Sequence, residues 1–225
     1  MVEEVLGPTL KMTSSLHDPT VSRVLGALHS QADTVDPPLL ANMGDRTDDE
    51  MAHVLDLAYI PVSPDAGRFL YTLARAISGG AVVEFGTSFG ISTIYLAAAV
   101  RDRGEGSVIT TELHSGKAQK ARENLRAAGL LDYVDLREGD ALETLKDIAG
   151  GVTLLFLDGW KKLYLPVLKL LEPALAPGAL VAADDLDLFP EVHKPYLAYV
   201  RNPASGYVSV EVPIGDRLEL SVRST

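Results

Sequence analysis

The chain has 225 residues, enough for one substantial core with a helical extension, and its 47% hydrophobic and 23% charged residues are an ordinary globular balance. A net charge of −11 and a pI near 4.8 argue against a nucleic-acid partner and suit a neutral or cationic small molecule better. The lack of Cys excludes disulfides and thiol chemistry; with no basic-then-apolar leader and no long apolar span, the expectation is a cytoplasmic protein with no membrane partner.

The first sixty residues differ in character from the rest. Val21, Val24, Leu25 and Leu28 recur at helical spacing within Val21 to Ala32, and Pro37-Pro38 is expected to stop that helix. Asp48 or Asp49 could cap a second helix through Met51, Val54, Leu55 and Leu57, before Pro61 and Pro64 break the chain again. Ser63 reads as the N-cap of a third helix with Pro64 at its first position; it would bury Phe69, Leu70, Leu73 and Ile77 and end at Gly79-Gly80. These helices would cover a sheet edge, form a lid or make a homodimer contact. His17, His29 and His53 lie among them and are assigned no role.

From Ala81 the pattern changes. The apolar run Ala81-Val82-Val83 ends in Glu84, the turn Gly86-Thr87-Ser88-Phe89-Gly90 follows, and an Ala-rich helical pattern runs from Ile91 to Val100. A continuous apolar run suits a buried parallel strand, and a helix start presents free N–H groups toward polar or anionic ligand atoms. A dinucleotide fingerprint needs Gly at the first, third and sixth turn positions, but here these hold Gly86, Ser88 and Ile91. The pattern present is Glu-x-Gly-x-x-x-Gly.

Further strands are expected at Ser107–Thr111, Val134–Glu138, Thr153–Leu157 and Ala179–Ala183, with helices at Ser92–Val100, Ser115–Ala128, Ala141–Ile148 and Leu163–Ala174 between them. This alternation predicts a right-handed parallel sheet covered by helices. Tyr207–Val212 and Leu218–Val222 alternate around Pro213-Ile214-Gly215-Asp216 and read as an antiparallel hairpin.

Sites in such sheets lie beyond the carboxyl ends of the strands. Strand two ends at Glu112, which either accepts from a ribose diol or serves the start of the next helix. Asp140 either caps a helix or accepts from an adenine amino group. Asp158, Asp184 and Asp185 stand at the ends of strands four and five. Crowded carboxylates either hold a hard cation such as Mg²⁺ or Ca²⁺, or are solvated helix caps.

The glycine turn resembles the first motif of the class I S-adenosylmethionine-dependent methyltransferases. The segment LDGWKKLYLPVLKLLEPALAPGALVAADD is similar to the catalytic region of the catechol and caffeoyl-CoA-type, cation-dependent O-methyltransferases. The likeness spans Val62 to Val222. It implies a Rossmann-like class I methyltransferase fold: α/β, a mostly parallel seven-stranded sheet with a C-terminal antiparallel hairpin and an N-terminal helical extension. Residues 1–60 would be that extension and 61–225 the methyltransferase domain. It implies S-adenosylmethionine held by Val62, Glu84, Gly86, Thr87, Ser88, Gly90, Ser92, Glu112, Asp140, Ala141, Asp158 and Trp160, with Trp160 lining the cofactor or acceptor pocket. Mg²⁺, or Ca²⁺ or Mn²⁺, would sit on Asp158, Asp184 and Asp185. Lys161, three residues after Asp158, would be the general base on a hydroxyl of a small, catechol-like aromatic acceptor.

The chain departs from the family at two positions. Asp185 replaces the family's Asn and adds a negative charge, and Gly159 stands where a bulkier residue is common, which would leave the adenine side looser. A divalent neighbour would depress the pKa of Lys161 and let it take a proton near neutral pH. The competing expectations are a metal-independent small-molecule methyltransferase, a nicotinamide-dependent oxidoreductase, which the glycine spacing disfavours, and a non-catalytic cofactor-binding module.

Overall fold

The computed structural model of the protein describes residues 14–41, 54 and 57–224. Seven strands form one sheet in the order β3-β2-β1-β4-β5-β7-β6. They are β1 (Ala81–Phe85), β2 (Val108–Glu112), β3 (Val134–Glu138), β4 (Val152–Leu157), β5 (Leu175–Ala183), β6 (Tyr207–Val212) and β7 (Leu218–Arg223). The first five pair in parallel, and β7 lies antiparallel to both β5 and β6. The expected fold class is therefore observed. Strand order turns back between β1 and β4, which opens a crevice at their carboxyl ends.

The central strands are apolar on both faces because side chains alternate and both faces are covered. Val82, Leu154, Phe156 and Ala182 point into one core. There they meet α1 (Pro19–Leu40), α2 (Pro64–Ala76), α3 (Ile91–Arg103) and α4 (Ser115–Ala127). Val83, Phe85, Leu155, Leu157, Val181 and Ala183 point into the other core. That side is covered by α5 (Ala141–Thr144), α6 (Tyr164–Leu171) and α7 (Pro190–Val200). The N-terminal helix thus shares a core with the sheet through Val21, Val24, Leu25 and Leu28.

Several local expectations need correction. The first helix does not stop at Pro37-Pro38 but contains both in its last turn and ends at Leu40. Each proline removes a backbone donor. The turn persists because Ala41 N–H still reaches the Pro37 carbonyl at 3.2 Å, and the Asp36 carboxylate accepts from Tyr59 and Ile60 N–H at 2.7 Å each. The Ser63 cap is present, accepting from Ala66 N–H at 3.1 Å, but α2 ends at Ala76, ahead of the glycine pair. Its fully packed face is Ala66, Gly67, Leu70 and Ala74, while Phe69, Leu73 and Ile77 are only half-buried. A Cβ on Gly67 would overlap the Tyr95 ring, so close approach to α3 is what selects glycine there. The helix expected to run to Ile148 ends at Thr144, and α7 was not anticipated. Most of the helix expected through Met51 and Leu55, and His53 with it, lies outside the described residues; Val54 is buried and Leu57 exposed. No helix among the described residues is long and apolar enough to cross a membrane.

Candidate active site at the strand carboxyl ends

Backbone bonds run past the end of each ladder and line up the loops. Gly86 and Thr87 N–H donate to the Thr111 carbonyl at 3.2 and 3.1 Å, Asp158 N–H to Phe85 at 2.9 Å, and Asp184 N–H to Leu157 at 3.0 Å. A Cβ on Gly86, whose φ is +104°, would lie 2.6 Å from the Asp158 carbonyl oxygen. Only glycine lets the turn after β1 press against the loop after β4. That contact places the glycine turn beside Asp158.

On the β1–β2 side the acids are met by protein donors. Glu84 is fully buried, and its Oε2 accepts from the Thr93 and Thr110 hydroxyls at 2.5 and 2.6 Å. Its Oε1 is buried with no partner among the described residues. Burial raises the pKa of Glu84, against the pull of the Thr110, Thr93 and Ser92 hydroxyls. Thr87 meets Thr110, hydroxyl to hydroxyl, at 2.6 Å. The Glu112 carboxylate accepts Ser88 N–H at 2.8 Å and His114 N–H at 2.9 Å, one on each oxygen, and is 7% exposed. Both helix-start and diol readings of Glu112 are compatible with this, because each oxygen keeps a lone pair. Asp140 is exposed and caps α5 through Leu142 N–H at 2.9 Å; Ala141 behind it is buried. Gly90, at φ +86°, precedes α3, and Ser92 sits buried in its first turn. Val62, just ahead of α2, is buried in the core.

A strap crosses this side that was not legible in the sequence. The Tyr59 ring stacks on Phe89 at 4.0 Å between centroids, the Ser88 hydroxyl donates to the Tyr59 carbonyl at 3.1 Å, and Lys117 Nζ donates to the Ala58 carbonyl at 2.9 Å.

On the β4–β5 side the acids crowd one another. Asp158, Asp184 and Asp185 each offer a carboxylate oxygen, all within 4.8 Å of one another. Lys161 Nζ lies 2.5 Å from Asp185 Oδ2, 3.6 Å from Asp158 Oδ1 and 2.8 Å from the Tyr164 hydroxyl. Burial pulls the Lys161 ammonium down, but Tyr164, Asp185 and Asp158 more than offset it and hold its pKa well above the usual value. The protein's own groups therefore oppose the depressed pKa expected for a base. Burial pushes Asp158 well up, Lys161 notwithstanding, with Asp185 and Asp184 adding to the rise. Burial and the neighbouring Asp185 take Asp184 to about 7. One ammonium cannot balance three carboxylates, and Asp184 Oδ1 is buried with no partner among the described residues. An all-oxygen donor set of this kind fits Mg²⁺, Ca²⁺ or Mn²⁺.

Trp160 is 47% exposed, which is not the packing of a core residue, and Leu188 and Phe189 are exposed on the loop after Asp185. The space a side chain at Gly159 would take is filled by the Phe85 ring, 2.5 Å from the position of a Cβ, so this glycine does not loosen the adenine side. Tyr164 and His193, both buried against the aspartate pair, were missed in the sequence. Tyr164 carries the signal of helical spacing from Lys161; His193 carries none, because α7 was not anticipated.

A doubly covered sheet with a glycine turn at its switch point and acids on the neighbouring strand ends defines a Rossmann-like methyltransferase architecture. The comparisons with known proteins agree. The methyltransferase domain model matches residues 83–186. The chain is 38% identical over 133 residues to a catechol O-methyltransferase of Mycobacterium tuberculosis, covering 58% of this chain and 59% of the relative. It is 35% identical over 151 residues to catechol O-methyltransferase B of Danio rerio, covering 64% and 56%. The matched part thus spans about three fifths of these curated relatives. Among solved structures, cofactor-bound Rv0187 from MTB superposes with a TM-score of 0.71 at 26% identity, over 90% of this chain and 91% of the other. The O-methyltransferase from Bacillus cereus in complex with SAH shares the fold, with a TM-score of 0.68 at 21% identity over 91% and 90%. Over the matched part the chain is similar to class I O-methyltransferases, and it shares their fold.

Proposed function

We propose that the chain transfers a methyl group from S-adenosylmethionine to a hydroxyl of a small, catechol-like aromatic acceptor, with a divalent cation at Asp158, Asp184 and Asp185. One observation carries this reading: the carboxylates of half-buried Asp158 and buried Asp184 and Asp185 converge within 4.8 Å beside the glycine turn, with Lys161 among them. The similarity to catechol O-methyltransferases supports the acceptor class. The exposed Trp160, Leu188 and Phe189, each close in sequence to a member of the cluster, suit a flat apolar ring.

The cofactor supplies the methyl group as an electrophile, so the protein's task is positioning and proton removal. Glu112 binds the ribose diol with its free lone pairs, and Glu84 with the turn from Gly86 to Gly90 and Ser92 receives the methionine end. Asp140 accepts from the adenine amino group, Val62 and Ala141 complete the cofactor pocket, and Trp160 lines its cofactor or acceptor side. A divalent ion on the three aspartates would supply charge that acidifies a neighbouring hydroxyl. Lys161 takes the hydroxyl proton at Nζ only in its neutral form, so it must first release its own ammonium proton to solvent and loosen its hold on Asp185 and Asp158. In this reading residues 61–225 are the methyltransferase domain and residues 1–60 an extension that serves as a lid or a dimer contact, in a cytoplasmic protein.

Turnover of a catechol acceptor tests the proposal: EDTA abolishes it, Mg²⁺ restores it, and Lys161→Met or Asp158→Ala removes it. Unchanged turnover in both variants would sink the scheme. A second reading has its own support: Lys161 already spans Asp185 and Asp158 as a built-in counter-charge, which suits metal-independent transfer. Full activity in EDTA would favour it.

A further inference from the structure

The Asp184-Asp185 pair is held from behind by two buried side chains on different helices. The Tyr164 hydroxyl, on α6, donates to the Asp184 carbonyl at 3.2 Å while accepting from Lys161 Nζ at 2.8 Å. His193, on the first turn of α7, lies 3.0 Å through Nε2 from both the Asp185 and Leu188 carbonyls. Two carbonyl acceptors fix the proton on Nε2. The Asp185 carbonyl also accepts Leu188 N–H at 3.0 Å, closing a turn, and Asp185 itself sits at φ +61°. A non-glycine residue holds that conformation only where its surroundings fix it. His193 and Tyr164 are themselves packed ring against ring, with centroids 5.4 Å apart.

We propose that His193 is a positioning residue for cation binding: by holding the Asp185 and Leu188 carbonyls it keeps Asp185 in its left-handed conformation and its carboxylate beside those of Asp158 and Asp184, with Tyr164 doing the same for Asp184. The inference rests on the cation reading above. Groups that orient metal ligands typically change metal affinity when removed. Lys161 holds the Asp185 side chain and the Leu186 and Asp187 N–H groups donate to the Arg217 and Asp216 carbonyls, but the Asp-Asp-Leu-Asp loop has no glycine to take up φ > 0, and His193 is the side chain that grips the Asp185 carbonyl itself.

The test is Mn²⁺ binding to the full chain, followed by calorimetry and by the spin resonance of the bound ion, with S-adenosylmethionine affinity measured in parallel. His193→Phe keeps the ring volume and removes the donor; it is expected to weaken Mn²⁺ roughly tenfold, to alter the spectrum and to leave cofactor affinity within about twofold. His193→Gln, which retains a donor, restores most of the loss. Mn²⁺ binding to His193→Phe at wild-type affinity overturns the proposal and leaves the cation reading intact. An equal loss of Mn²⁺ and cofactor marks a merely structural role and also overturns it. Failure of the wild-type chain to bind Mn²⁺ overturns both. Should His193→Phe not fold, Tyr164→Phe decides: weaker Mn²⁺ supports the proposal, unchanged Mn²⁺ overturns it.

Discussion

The two sides of the switch point treat their acids in opposite ways. Next to the glycine turn, Glu112 takes a backbone N–H on each carboxylate oxygen and Glu84 takes two hydroxyls, so the negative charge is met by fixed dipoles. At the ends of β4 and β5, three carboxylates share one lysine, and an oxygen of Asp184 has no partner among the described residues. The first arrangement meets both oxygens of Glu112 and one of Glu84, leaves Glu84 Oε1 open among the described residues, and suits a neutral, hydroxyl-rich ligand. The second is strained by like charge and suits a cation or a proton.

The comparison predicts a graded set of effects. The largest falls on the crowded side: Lys161→Met lowers kcat for a catechol acceptor by about 10² to 10⁴, read by steady-state kinetics, with cofactor affinity little changed. Glu112→Gln falls on the satisfied side and acts on binding instead. Losing charge-assisted bonds weakens S-adenosylmethionine about tenfold or more, measured by calorimetry, with Mn²⁺ affinity retained. If Glu112→Gln were to abolish Mn²⁺ binding as well, the two sides would not be separable. The seam between them is tested by Gly86→Ala: with φ at +104° and the Asp158 carbonyl 2.6 Å from the new Cβ, the variant loses on the order of 1–3 kcal/mol of stability and weakens both ligands together. The smallest effect lies away from both sides. Burial holds the pKa of His29 below its ordinary 6.5, helped by Arg68 and opposed by Asp33. The neutral ring therefore contributes stability that is present above pH 6.5 and lost as pH falls through the lower folded value. His29→Gln should flatten the decline in Tm between neutral and mildly acid pH relative to the wild-type chain.

Much of this was legible in the residues. Continuous apolar runs ending in acids marked the parallel strands, and alternation around Pro213-Ile214-Gly215-Asp216 marked the hairpin, because burial on two faces or one leaves different patterns. Glu84, Gly86, Glu112, Asp158, Asp184 and Asp185 were named from their places at strand ends, and Lys161 from the family resemblance. The run through Pro37-Pro38 was not legible, since it depends on Asp36 being gripped by Tyr59 and Ile60 from another segment. Nor was α7, whose helix begins after Phe189 in a left-handed conformation and carries a proline inside. Gly159 was misread because the ring that fills its space, Phe85, comes from a strand more than seventy residues earlier.

Local periodicity and the chemistry at strand ends, both properties of neighbouring residues, were enough to give the sheet, its covered faces and the roster of acids. Which acids are satisfied and which crowd together, which rings back the aspartate pair and how the glycine turn meets Asp158 were decided only when distant segments packed. Those properties depend on donors, charges and volumes brought in from elsewhere in the chain.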